Sequence, residues 1–151
     1  MQFTQSVSYP GTVDEVVAMY LTPAYLERRF GQFVVEGSST VSVEGERVSF
    51  AGTVRPELIP AAAARFVKSD LRVTFTEEWA TNEAGATSRT SVTVDGAPVS
   101  VEATSTLAPA EAGSVRDVTG NVSVRVPLLG GRIEKEAVTH LGRVVEREQA
   151  L

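Results

Sequence analysis

At 151 residues the chain is long enough for one domain with a real core and too short to expect two. Hydrophobic residues make up 42% and charged residues 22%, and the net charge of −5 argues against nucleic acid or an anionic membrane as the main partner, since both demand a basic surface. There is no cysteine, so disulfides, thiolate metal sites and a cysteine nucleophile are excluded.

Valine occurs 24 times against nine leucines and two isoleucines, a bias toward residues that fit pleated strands. No apolar run approaches the length of a membrane helix. The opening M-Q-F-T-Q-S-V-S-Y has neither a basic start nor an apolar signal core, and its alternation predicts a strand over Phe3 to Tyr9. A cytoplasmic location is the expectation.

Thr12-Val13-Asp14-Glu15 reads as a capping box and starts a short helix that runs to about Leu21. Thr22-Pro23 starts a second, with proline at its first position and Gly31 at its end. The period then changes to two, and strands are predicted over 32–43, 46–55, 71–80, 87–95, 98–108 and 114–126. Most links look like hairpins, including Glu44-Gly45 and Asp95-Gly96. The segment from Pro56 to Asp70, with four consecutive alanines, predicts a helical excursion at one edge of the sheet. Gly130-Gly131 forms a hinge into the longest helix, from about Gly131 to Gln149. There Leu129, Ile133, Ala137, Leu141 and Val144 share one stripe, and His140 lies on its margin.

This order is one strand, two short helices, six strands and a long terminal helix. With the phrases Y9-P-G-T-V-D-E-V, T76-E-E-W79 and V126-P-L-L-G-G-R-I-E134, it resembles the START and Bet v 1-like (SRPBCC) superfamily, and within it an actinobacterial family of unknown function. The resemblance implies an α+β helix-grip fold: a seven-stranded curved antiparallel sheet wrapped around the C-terminal helix, in one domain. It also implies an internal cavity for an apolar ligand, in a superfamily whose members include carriers, receptors, cyclases and plain folding partners.

Few residues suggest chemistry. In L71-R-V-T-F-T-E-E-W79 the odd positions share a face, so Glu77 points with Leu71, Val73, Phe75 and Trp79 while Glu78 points away. The pair is therefore no carboxylate dyad. Glu77 either reaches an arginine or solvent, or stands at the cavity with a raised pKa and grips a hydroxyl. His140 is the chain's one histidine, so a metal site and a Ser-His nucleophile system both lack partners, and no cofactor is expected. Small residues recur on the apparent inner faces at Gly37, Gly52, Gly120, Ala103, Ser105 and Ala137. They serve sheet curvature, unfilled volume under the helix, or both.

The preferred function is noncatalytic binding, with carriage, of an apolar small molecule such as a lipid, sterol-like or polyketide-like compound. Phe33, Val35, Phe50, Phe75, Trp79, Val101 and Val122 would form the trough, and Ile133, Ala137, His140 and Val144 the lid. Glu77 and His140 would supply the orienting polar contacts. One alternative is an enzyme resembling the polyketide aromatase/cyclases of the superfamily, moving protons with His140 or Glu77. The other is a cavity-free interaction module with an exposed apolar patch. A homo-oligomer is compatible with the sequence, though nothing in it calls for one.

Overall fold

The computed structural model describes residues 1–59, 71–95, 99–124 and 138–139. Within them lie strand β1 (Gln2–Tyr9), helices α1 (Val13–Tyr20) and α2 (Pro23–Phe30), and strands β2 (Thr40–Glu44), β3 (Arg47–Thr53), β4 (Arg72–Asn82), β5 (Gly85–Asp95), β6 (Val99–Ala110) and β7 (Gly113–Val124). The seven strands make one sheet in the order β1-β7-β6-β5-β4-β3-β2, and every neighbouring pair is antiparallel. Consecutive strands from β2 to β7 are neighbours, and only β1 crosses over to close against β7.

Alternation along the strands separates two faces. One inner row runs Phe75–Val92–Val101–Val122, and the next runs Glu77–Thr90–Ala103–Gly120–Phe3. The opposite face carries rows such as Thr74–Thr93–Ser100 and Glu78–Arg89–Thr104–Thr119, a polar surface suited to water. Register follows from this contrast, because a slip by one residue would exchange the two faces.

The two helices cover one end of the inner face. Thr12 Oγ1 accepts from the Glu15 amide at 3.2 Å and Glu15 Oε1 accepts from the Thr12 amide at 3.1 Å, so the capping box forms. Helix α1 buries Val16, Val17 and Tyr20 against Trp79, Ala86 and Leu107. Helix α2, with Pro23 in its first turn, buries Tyr25, Leu26 and Arg29. Leu26 joins Val34, Val48, Phe50 and Phe75 in a second cluster. A third consists of Phe3, Val122 and Val124, and Val138 packs against it. Val138 and Thr139 are helical, so the described part of the C-terminal region lies on the inner face.

The predicted strand over 32–43 is much shorter. Gly31–Phe33 is a 3-10 turn, Val34 makes a single bridge to Val54, and β2 begins only at Thr40. Gly37 takes a φ of +80°, a turn conformation that interrupts the alternation between Val35 and Val41. Val34 is consequently the buried residue and Val35 is 41% exposed, the reverse of the expected inner-face placement. Phe33 is half-buried in the 3-10 turn. Pro56–Leu58 is a second such turn. Residues 60–70, the Gly96 turn and Gly130-Gly131 lie outside the described residues, as does the predicted helix over 131–149 apart from Val138 and Thr139.

The inner-face glycines mark close approaches and leave no empty volume. A Cβ on Gly52 would stand 2.8 Å from Val34 Cγ1, and one on Gly120 would stand 2.5 Å from Phe3 Cζ. Val34 and Phe3 therefore fill the space that the missing side chains leave. Gly52→Ala should cost about 1–3 kcal/mol through overpacking. The combination of Gly52→Ala with Val34→Ala should cost less than the sum of the two single changes, as read from urea unfolding. Strict additivity would show that the two residues do not compete for one space.

Candidate functional site

A cavity of about 120 Å³ lies on the inner face. Strands β1, β4, β5, β6 and β7 give it an apolar wall of Phe3, Val7, Phe75, Val92, Val101, Ala103 and Val118. Its polar lining is Gln5 from β1, Glu77 from β4, Thr90 from β5 and Arg116 from β7, with Tyr20 and Arg29 from the two helices. Ala103, between Val101 and Ser105 on β6, is the smallest of these wall residues.

The polar lining is organised around Glu77, which is 1% exposed. Its Oε1 accepts from Trp79 Nε1 at 2.9 Å, and its Oε2 accepts from Thr90 Oγ1 at 2.8 Å and Arg116 Nη2 at 3.1 Å. Arg29 Nη1 stands 3.9 Å from Oε1. Arg116 also donates from Nε to Ser105 Oγ at 3.0 Å and from Nη2 to Ser88 Oγ at 3.3 Å, while the two serine hydroxyls bond each other. Its guanidinium lies 4.7 Å from the Tyr20 ring and 4.9 Å from Trp79, and these two rings stack at 5.3 Å. The Arg29 guanidinium lies 4.9 Å from the Tyr20 ring and 4.7 Å from the Phe30 ring. Planar cations favour such faces where water is excluded.

Burial works to raise the Glu77 pKa, but Arg116 and Arg29, with the hydrogen bonds from Thr90 and Trp79, outweigh it and hold the carboxyl below its ordinary value. Burial likewise opposes the charge on Arg116, and the Glu77 carboxylate more than restores it, so this arginine is a permanent cation. The raised carboxyl pKa considered from sequence is thereby corrected. Glu77 reaches an arginine, and it is ionised.

Of the expected trough, Phe75, Glu77 and Val101 line the cavity. Phe50, Trp79 and Val122 are buried in the packing around it, with Trp79 holding Glu77. Phe33 and Val35 stand apart in the segment that fails to form a strand. Ile133, Ala137, His140 and Val144 lie outside the described residues. Sequence reasoning missed Arg116 and Arg29. Arg116 was legible: the pattern that puts Val118, Gly120 and Val122 on the inner face puts Arg116 there too. Arg29 sits four residues after Tyr25 and three after Leu26, on the buried stripe of α2.

The sheet order and the two helices after β1 give the chain a START/Bet v 1-like fold. Known structures share it. A conserved protein from Geobacillus kaustophilus superposes with a TM-score of 0.63 at 17% identity, covering 99% of this chain and 92% of that one. A STAR-related lipid transfer protein from Xanthomonas axonopodis gives 0.60 at 15% identity, over 98% and 85%. Ara h 8.0201 gives 0.60 at 11% identity, over 99% and 95%. The chain belongs to the family described as a protein of unknown function (DUF2505), whose pattern matches residues 4–151. An uncharacterized protein of Mycobacterium tuberculosis is 28% identical to it, over 97% of this chain and 91% of that protein.

Because the folded-state pKa of Glu77 is depressed, its contribution to stability is present above the unfolded value and is lost as pH falls through the folded one. Urea unfolding of the wild type should therefore weaken as pH falls below about 4.5, the ordinary value. Glu77→Gln should lose about 3–5 kcal/mol at pH 7, where the buried Arg116 guanidinium is left without its counter-charge. It should also lose less on further acidification. Parallel acid limbs for the two proteins would mean that another carboxyl governs the transition.

Proposed function

We propose that this chain binds, and carries, an apolar small molecule on the inner face of its sheet. The observation that carries the reading is the cavity itself: six apolar side chains and Ala103 on its wall, with the charged groups gathered around Glu77. Pockets of this kind gain affinity from apolar burial and orientation from a few polar groups. The fold supports it, since one protein that shares it is named for lipid transfer. The sequence stripe of Ile133, Ala137 and Val144, with His140 beside it, would act as the lid; the contact of Val138 with Phe3, Val122 and Val124 supports a helix over the inner face.

Size narrows the ligand. About 120 Å³ suits a ring or a short chain, comparable with cavities of roughly 150 Å³ that take up benzene. A sterol or long-chain lipid would need the wall to move outward, since pockets for such compounds run to roughly 300–1,000 Å³. The cyclase reading is weakened by the state of Glu77. A carboxylate that already accepts three hydrogen bonds and is held ionised is a poor proton shuttle near neutral pH. The interaction-module reading lacks its required patch: among the described residues, the exposed large hydrophobic side chains are Met1 and Val35.

Benzene titrated into methyl-labelled protein should shift the valine methyls that line the cavity, Val7, Val92, Val101 and Val118, and should do so saturably. Ala103→Phe should place its ring in the same space, abolishing the shifts while stability changes by less than about 1.5 kcal/mol. A wild type whose inner methyls ignore benzene, with Ala103→Phe strongly destabilised, would show a packed interior and defeat the proposal.

A further inference from the structure

Gln5 breaks the apolar pattern of β1. The inner side of that strand carries Phe3, Gln5 and Val7; Phe3 and Val7 are buried, while Gln5 is half-buried and lines the cavity. Among the described residues its side-chain amide has no hydrogen-bond partner. A polar side chain on an inner face is ordinarily paired, so this one asks for a reason. The charged groups of the same lining are all committed. Glu77 accepts from Trp79, Thr90 and Arg116. Arg116 donates to Glu77, Ser88 and Ser105. Arg29 is engaged as well, 3.9 Å from Glu77 and over the Tyr20 and Phe30 rings. The described lining therefore offers a guest an amide that both donates and accepts, and no uncommitted charge.

We infer that Gln5 sets the specificity of the cavity, selecting an uncharged, ring-sized or short-chain guest whose polar group both donates and accepts, as a carboxamide or a hydroxyl does. This rests on the proposed binding function and specifies its ligand class. An anion would need a guanidinium, and could take one only at the expense of Glu77 or a serine. An ammonium would need a carboxylate that already accepts three hydrogen bonds. Either guest would be buried without a counter-charge of its own. A wholly apolar guest would take water from the Gln5 amide and give nothing back. A carboxamide pairs with that amide through two hydrogen bonds, one in each direction.

Four probes separate these cases: benzamide, benzoate, benzylamine and benzene, titrated at pH 7 by calorimetry and by valine methyl shifts. Benzamide and benzoate share size and shape and differ in charge, and benzylamine is a cation at this pH. Benzamide should bind at least about tenfold more tightly than benzoate or benzylamine. In Gln5→Leu, a change at a half-buried strand position, the ratio of benzamide to benzene affinity should fall about 2- to 12-fold, the value of one hydrogen bond. Gln5→Glu places an uncommitted carboxylate at the same point and should raise benzylamine relative to benzamide by at least about tenfold, a change that a purely structural role for Gln5 would not produce. Benzoate binding as tightly as benzamide, a benzamide-to-benzene ratio unmoved in Gln5→Leu, or a benzylamine ratio unmoved in Gln5→Glu would overturn the inference, while benzene-induced shifts left the cavity reading intact. Failure of both benzene and benzamide would overturn the two together.

Discussion

The constraint on which the rest of the structure depends is the burial of the Glu77 carboxylate. An isolated charge in that position would cost far more than the domain could sustain, so its partners must arrive together. Trp79 comes from the same strand, and the others from farther along the chain: Thr90 from β5, Arg116 from β7 and Arg29 from α2. Sheet register and helix placement are thereby tied to one atom pair. A slip of β4 by one residue would turn Glu77 to the outer face together with Phe75 and Trp79, and bring Thr76 or Glu78 inward in their place. Removing either member alone would leave a buried unpaired charge, a loss of about 3–5 kcal/mol. Specificity of register is what such a pair contributes, more than net stability.

The cavity follows from the same arrangement. Arg116 and Arg29 lie over Tyr20, and Tyr20 stacks on Trp79, so the polar groups form a compact plug between the helices and the sheet. Beyond it the inner face is valine, phenylalanine and Ala103, and the cavity lies against these side chains. Helix α1 is fixed by its capping box and the buried tyrosines, so one wall of the site is set by local sequence. A polar end joined to an apolar body is a combination that discriminates by polar match and tolerates variation in the apolar part.

Much of this was legible in the chain. Period-two alternation placed six of the seven strands within a few residues, and T12-V-D-E15 and Pro23 placed both helices. The failure at 32–43 has a local cause. Alternation of Phe33, Val35 and Gly37 imitated a strand, but the glycine supplies a left-handed turn and Ser38 Oγ donates back to the Val35 carbonyl at 2.5 Å. The inner-face position of Glu77 could be read from one strand. Its ionisation could not, because that depends on Arg116 and Arg29, 39 and 48 positions away, and periodicity gives faces without giving pairings across a sheet. The glycines misled for a related reason: whether a missing side chain leaves a void or admits a neighbour is decided by a distant residue, Val34 or Phe3.

The inner face as a small-molecule site is tested most directly by native mass spectrometry of the freshly purified protein, compared with the same sample under denaturing conditions. A single adduct is expected, with the mass of one small organic molecule, present in the native spectrum and released on unfolding. A spectrum of the bare chain alone, unchanged after incubation with the small-molecule and lipid extract of the expressing cells, would contradict it.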